Sequence, residues 1–351
     1  MSLNIYCNPK VYIEGEGVIE DITGSVSFPG TSQIASLKIQ MPGINRAEST
    51  MINKEIKFYL NDGGFDTVPY FIGYIKDFKS NDTTTSITAF DARCFLGGEY
   101  AQPIFLMDDD NYDGYTLGQF LIKHINDNIN TDTKTYIDTS IMNDTNPPVP
   151  MKGVRGEDKP YSMMLEVLKS AVDDSDKFDM FDYEIGISFT NDSSNLKFIK
   201  EKPLNESCMS FSYGDGIKSY SYTKKKLPNT GLAGSNVRVD LYSSNYPRIV
   251  KNVESKLEKN TSNRNKSMSS AFLAQETLKG LIHERKQKFE IDLTTTKGHY
   301  LQIGSVVNIN VEEEFKGNHR IVSKVVTFGP QGTTCKLKLN TRPLTVSYND
   351  Y

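Results

Sequence analysis

The chain has 351 residues, of which 37% are apolar or aromatic and 24% charged, with a formal net charge of −4. That length exceeds one compact core and predicts two or three domains, while the composition excludes a chain disordered throughout. No apolar run is long enough to span a bilayer, and the start MSLNIYCNPK lacks a charged end and apolar stretch, so cytosolic folding without membrane insertion is expected.

The first segment reads as all-β. VYIEGEG, IEDITGSVSFPG and SLKIQMPG are short β-branched or alternating runs parted by Gly and Pro turns. EIKFYLNDGGFD, PYFIGYIKDFKSNDTT and TSITAFDA follow, with Ile56, Phe58 and Leu60 on one face and Phe71, Gly73 and Ile75 on another. Asn81-Asp82 between two alternating runs marks a hairpin turn. Period-two patterning at this spacing predicts a sandwich or barrel over residues 1–96.

From residue 97 to 210 the pattern predicts an inserted α+β domain. Thr116 opens a helix whose apolar face carries Leu117, Phe120, Leu121, Ile125 and Ile129. Asp158 and Pro160 start a second helix with Met164, Leu165, Leu168, Ala171 and Val172 on one side. YEIGISFT and NLKFIKEKP then return to strands. Residues 211–351 predict a second β domain with an exposed insertion at about 229–268 and a helix over 271–288. FSYGDGIKSYSYTKKK and NVRVDLYSS read as strands. FEIDLTT, SVVNINVEEE, HRIVSKVVTFG and TTCKLKLNTRP read as a four-strand meander. FIGYIKDF with TSITAFDA, and HRIVSKVVTFGPQG with TTCKLKLNTRP, share a strand–turn–strand form. That form fits either two related barrels or two generic hairpins.

Charge is unevenly spread. Residues 99–192 hold seven basic against nineteen acidic side chains, and 217–288 hold fifteen against five. Such blocks pair with neighbouring subunits or form solvated faces. Cys7, Cys94, Cys208 and Cys335 lie far apart with no CxxC, which excludes a local zinc site or disulfide scaffold and predicts reduced thiols.

Catalytic signatures are missing. His124, His283, His299 and His319 show no metal-ligand spacing, and neither HExxH nor GxSxG nor a phosphate loop occurs. Gly304-Ser305-Val306 opens a strand. Asp109, Asn111, Asp113 and Gly114 match half a calcium loop, but Phe120 stands where a bidentate Glu is required, so an acidic helix cap is favoured. Glu312 to Glu314 are expected to face solvent. Lys224 to Lys226 beside Tyr213, Tyr220 and Tyr222 suit protein contact before nucleic-acid binding. No catalytic, cofactor or metal residue is assigned.

Two stretches resemble the phage tail baseplate hub family: FIGYIKDFKSNDTTTSITAFDA (71–92) and GHYLQIGSVVNINVEEEFKGNHRIVSKVVTFGPQGTTCKLKLNTRP (298–343). FSYGDGIKSYSYTKKK (211–226) resembles the segment that opens the family's second barrel. The resemblance implies two tail-tube-like β-barrels with a smaller inserted domain and no enzymatic activity. It further implies a homotrimer whose six barrels form a pseudo-sixfold ring joining tail tube protein to the central spike protein. Genome and tape-measure protein would pass through the lumen, with DNA only transient there, and other baseplate subunits would be neighbours. The expected place is the virion tail baseplate, assembled in the host cytoplasm, with no lysozyme-like or spike domain fused. The acidic and basic blocks are expected to meet across subunits. A receptor- or carbohydrate-binding tail component is the alternative, and a peptidoglycan hydrolase or protease a third reading without nameable residues.

Overall fold

The computed structural model describes residues 8–30, 34–43, 47–60, 68–96, 123, 126–127, 137–138, 183–189, 194–200, 205–224, 232–233, 252–253, 289–313 and 316–340. The first portion supplies β1 (Lys10–Ile13), β2 (Gly17–Ile19), β3 (Thr23–Phe28), β4 (Ser36–Pro42), β5 (Glu55–Tyr59), β6 (Phe71–Ser80) and β7 (Thr84–Phe90). A single-turn helix α1 (Glu48–Met51) precedes β5, and a 3-10 turn (Ala92–Phe95) follows β7. β8 (Ile137–Asp138), β9 (Tyr183–Phe189) and β10 (Ser194–Lys200) make a separate sheet in the order β8-β10-β9. β11 (Met209–Ser212) and β12 (Ile217–Lys224) come next, then β13 (Leu232–Ala233) paired with β14 (Asn252–Val253). β15 (Phe289–Thr295), β16 (Val306–Asn310), β17 (Gly317–Gly329) and β18 (Gly332–Asn340) complete the described strands.

The described residues are thus mainly β, mostly antiparallel, with almost no helix. Lys123 is helical and Asn126–Asp127 form part of a π-type turn, with Lys123 Nζ 2.7 Å from Asp127 Oδ2. The rest of that expected helix, the helix after Pro160, the helix over 271–288 and the strand NVRVDLYSS lie outside the described residues.

Alternation explains why these segments are strands. In β4 Leu37, Ile39 and Met41 are buried while Lys38 and Gln40 face out, the period of a sheet with one covered face. β15 repeats this with Phe289, Ile291, Leu293 and Thr295 inward. β6 departs from the expectation, because its first five residues are all buried. Its second face is covered too: the ring of Tyr74 meets Phe95 of the 3-10 turn edge-on at 5.2 Å.

Thirteen strands join one sheet in the order β12-β15-β18-β17-β3-β4-β7-β6-β5-β1-β2, with β11 beside β16 and β16 beside β17. The expected four-strand meander is corrected here. β15 pairs with β18, not with β16, giving the spatial order β15-β18-β17-β16. This is a Greek-key arrangement, which local alternation cannot distinguish from a meander. Moreover, β16 takes β11 as a parallel neighbour, from Met209 opposite Val307 to Ser212 opposite Asn310.

The strand order is duplicated. β3-β4-β7-β6-β5-β1 in the first portion matches β12-β15-β18-β17-β16-β11 in the last, each strand with the corresponding neighbour. Both long hairpins carry a one-residue bulge at the same place: Lys76 between Ile75 and Asp77, and Val322 between Ile321 and Ser323. Followed outward from the bulges, the registers superpose Leu37 and Ile39 on Ile291 and Leu293. They likewise superpose Ile56 and Phe58 on Val307 and Ile309. All eight are buried.

Even the strap holding each bulge recurs. Asn53 N donates to Ile75 O at 2.8 Å, and Gly304 N donates to Ile321 O at 2.8 Å. Both donors sit at positive φ, +67° and +84°, a conformation that suits Asn and Gly. The correspondence seen between the two hairpins therefore extends to whole sheets. It departs at β11, which runs parallel to β16 while β1 runs antiparallel to β5, and at β2, which has no counterpart among the described residues.

The two portions are fused through β17. Its first half pairs with β16, and beyond the bulge Lys324 to Phe328 pair with Phe28 to Gly24 of β3. One hydrophobic cluster spans both portions, with Phe58 stacked on Phe328 at 4.5 Å. Each such side chain contributes roughly 1.5–3 kcal/mol by burial.

Candidate functional surfaces

Among the described residues no group of three His, Cys, Asp or Glu could hold a metal ion. His299 and His319 are buried, while His124, His283 and the 109–114 acidic loop lie outside the described residues. Cys94 and Cys335 are buried, and burial pushes each thiol up to about 12, so neither is a ready nucleophile. Cys208 is exposed. Glu313 is exposed and pairs with Lys316 at 3.2 Å, as expected of that loop.

The buried acid Asp91 is architectural. Its Oδ2 accepts from Ala35 N at 3.1 Å and Arg93 Nη2 at 2.7 Å, and its Oδ1 accepts from Arg93 N at 2.9 Å. The carboxylate thereby caps the 3-10 turn and anchors the chain entering β4. Arg93 is its ion-pair partner, with both side chains nearly inaccessible. The pair fixes where the first hairpin ends, and no substrate could reach it.

The internal seam between β3 and β17 is the first functional surface. Gly24 sits there between Ile39 and Phe328, and a Cβ on it would fall 2.1 Å from Lys38 O. Only a residue without a side chain allows that approach. Lys324 is buried because the bulge at Val322 reverses the phase. Its Nζ donates to His299 O at 2.6 Å and Leu301 O at 2.7 Å. The rings of Phe28 and Tyr70 lie 4.8 and 5.1 Å from it. Tyr70 OH also donates to His299 O, at 2.5 Å. Desolvation lowers the lysine to about 8.

The outer edges are the second surface. Among the described residues, β12 ends the strand order on one side, and β2 ends it on the other. β12 is largely exposed and carries Lys218, Tyr222 and Lys224. At its foot Tyr213 OH and Tyr220 OH are 2.6 Å apart, and Tyr220 OH donates to Glu312 at 2.5 Å. Glu312 and then Tyr213 raise the Tyr220 hydroxyl above its ordinary range. These phenols are engaged with protein partners. Among the described residues, Asp77 to Ser80 beyond the β6 bulge pair with β7, past the end of the pairing with β5.

Sequence reasoning located the two hairpins and the β12 region but missed Asp91–Arg93 as a clamp and Lys324 as a buried cation. A phase jump signalled only the first bulge. In β6 the apolar residues step from Ile75 to Phe78, whereas in β17 the buried position that follows Ile321 is Lys324, and no apolar step marks it. The acidic 99–192 and basic 217–288 blocks lie mostly outside the described residues.

No family model and no curated protein matches the sequence. Solved structures do match its fold. The tail protein from Neisseria meningitidis MC58 superposes with a TM-score of 0.68 at 12% identity, covering 95% of this chain and 96% of that one. The 43 kDa tail protein of prophage MuSo2 from Shewanella oneidensis gives 0.63 at 12% identity, covering 97% and 99%. An E. coli component of the type VI secretion system, described as structurally similar to T4 bacteriophage tail proteins gp27 and gp5, gives 0.56 at 10% identity, covering 95% and 79%. The chain therefore has the fold of phage tail proteins over nearly its full length.

Proposed function

We propose that this chain is a non-enzymatic structural subunit of a phage-like tail, a baseplate hub whose three copies form a pseudo-sixfold ring between tail tube and central spike. The observation that carries this reading is the duplicated sheet inside a fold shared with tail proteins. Two like units per chain make a trimer present six like units. Such a ring matches a sixfold tube on one face and a threefold spike on the other. The task needs surfaces and a passage for genome and tape-measure protein, not catalytic groups. Its place is then the tail baseplate, beside tube, spike and other baseplate subunits.

Light scattering at two protein concentrations, with negative-stain images of the same peak, tests it. The expected result is three times the 39.5 kDa chain mass, in ring particles with a central hole. A stable monomer that also fails to bind tube protein overturns the hub and favours the receptor-binding alternative.

A further inference from the structure

Among the described residues, backbone pairing does not join the two ends of the second unit. Its order runs from β12 through β15, β18, β17 and β16 to β11, although β11 and β12 are consecutive in the chain. Side chains bridge what the ladders leave apart. Tyr213 follows β11, Glu312 follows β16, and Tyr220 stands on β12. Tyr220 OH donates to Glu312 Oε1 at 2.5 Å. A phenol has one proton to give, so the 2.6 Å contact between the two hydroxyls is donated by Tyr213.

We propose that Tyr213 and Tyr220 form a one-electron oxidation site, whose phenols couple to dityrosine and clasp the two ends of the second unit covalently. The oxidant it takes is hydrogen peroxide turned over by a haem peroxidase. Ring geometry favours the coupling. The centroids lie 5.9 Å apart with the planes inclined at 66°. Two phenols meeting end to end through bonded oxygens would hold their rings farther apart. These rings therefore lean together, and the carbons ortho to each oxygen approach one another. Tyr213 is 63% exposed, so an oxidant reaches it.

Each phenol gives up one electron. Tyr220 passes its proton to the Glu312 carboxylate, which releases it to water, and Tyr213 loses its proton to solvent. The two phenoxyl radicals carry unpaired density at their ortho carbons, where a carbon–carbon bond forms. The hydrogen on each bonded carbon then moves to its own oxygen and restores both rings. Two electrons and two protons leave in all, and they reduce one hydrogen peroxide to two waters. Glu312 and then Tyr213 hold the Tyr220 hydroxyl above its ordinary range, so the proton must leave as the electron does, and a bonded carboxylate is there to take it. Tyr70 and Tyr300 are an internal comparison. Their centroids are as close, at 6.0 Å, but Tyr70 OH donates to the His299 carbonyl, which is no base.

The bond lies within one chain, so this inference is independent of the ring reading above. The full chain is treated with hydrogen peroxide and a haem peroxidase, then unfolded and cut after lysine. Cleavage after Lys218 separates the two tyrosines, so a joined peptide lighter by two hydrogens reports the bond. That peptide, with dityrosine fluorescence, is expected from the parent and from Tyr222→Phe, and from neither Tyr213→Phe nor Tyr220→Phe. Unchanged melting before oxidation establishes that the variants fold. Glu312→Gln keeps an acceptor oxygen but takes no proton, and should slow coupling about tenfold or more. Deuterated water should slow the parent more than that variant. Equal rates in parent and Glu312→Gln overturn the role of the acid. Dityrosine that maps to Tyr70 and Tyr300, or that forms only between chains, overturns the site. A joined peptide with no rise in melting temperature overturns the clasp.

Discussion

The two long hairpins, β6–β7 and β17–β18, share a bulge, a strap and a neighbour order, yet almost none of their equivalent side chains agree. Ile75 and Ile321 coincide, whereas Tyr74 answers to Arg320, Phe78 to Lys324 and Phe90 to Asn340. Backbone geometry has been held while the side chains diverged. What differs is the work each arm does. The second arm is long, pairs with β3 and puts a cation between two rings and two carbonyls. The first is short and ends in a turn held by Asn81, whose Oδ1 accepts from Thr83 N at 3.0 Å and Thr84 N at 2.7 Å. One arm is thus an internal splice, and the other is fastened locally.

The strongest test of the splice is Phe328→Ala. It removes the stack on Phe58, and truncating a buried aromatic costs about 3–5 kcal/mol. Because the ring joins the two units, melting is expected to shift as one transition. Two separate transitions would show that the units are independent and break the comparison.

Asp91→Ala tests the local fastening of the first hairpin. It strands a buried Arg93 and frees the start of β4, at a cost of about 3–5 kcal/mol. The matching variant Asp91→Asn with Arg93→Met is expected to recover part of the loss in urea unfolding. No recovery would show that the backbone contacts to Ala35, not the ion pair, dominate.

Lys324→Met sharpens the contrast through pH. The buried lysine gives up its proton near 8 instead of 10.5, so between those values the unfolded chain binds more protons than the folded one. Stability from this group therefore rises with pH over that window, by on the order of 3 kcal/mol. Cys335, raised by burial from 9.0 to about 12, acts in the opposite sense above 9, so the difference between parent and variant isolates the lysine. The parent should gain on the variant from pH 8 to 10.5. A flat difference curve would refute the buried cation.

The smallest effect is expected from Asn81→Ala, about 1 kcal/mol from lost turn bonds on the surface. Thermal melting should detect it without loss of cooperativity. A larger loss would mean that the first arm is more than locally held.

Much of the secondary structure was legible. Alternation in SLKIQMPG and FEIDLTT marked β4 and β15 because a strand buries every second side chain, a property of neighbouring residues. Asn81 and the Gly-Pro-Gln-Gly run marked the two turns for equally local reasons, and the hairpin resemblance was visible in order and spacing. The clamp was not legible, since Asp91 meets Ala35 across 56 residues. Nor was Lys324, since a single inserted residue at Val322 inverts inside and outside for everything after it.

By itself, then, the sequence determined that the chain is mostly short strands with a duplicated hairpin form. Tertiary structure decided that β15 lies beside β18, that β17 crosses to β3, and that a lysine fills the junction. The physical reason is that every backbone offers the same hydrogen-bonding groups. Alternation states that a strand has a covered face but carries no address for its neighbour. The address is set by which faces, bulges and arms fit together once the whole chain has closed on its core.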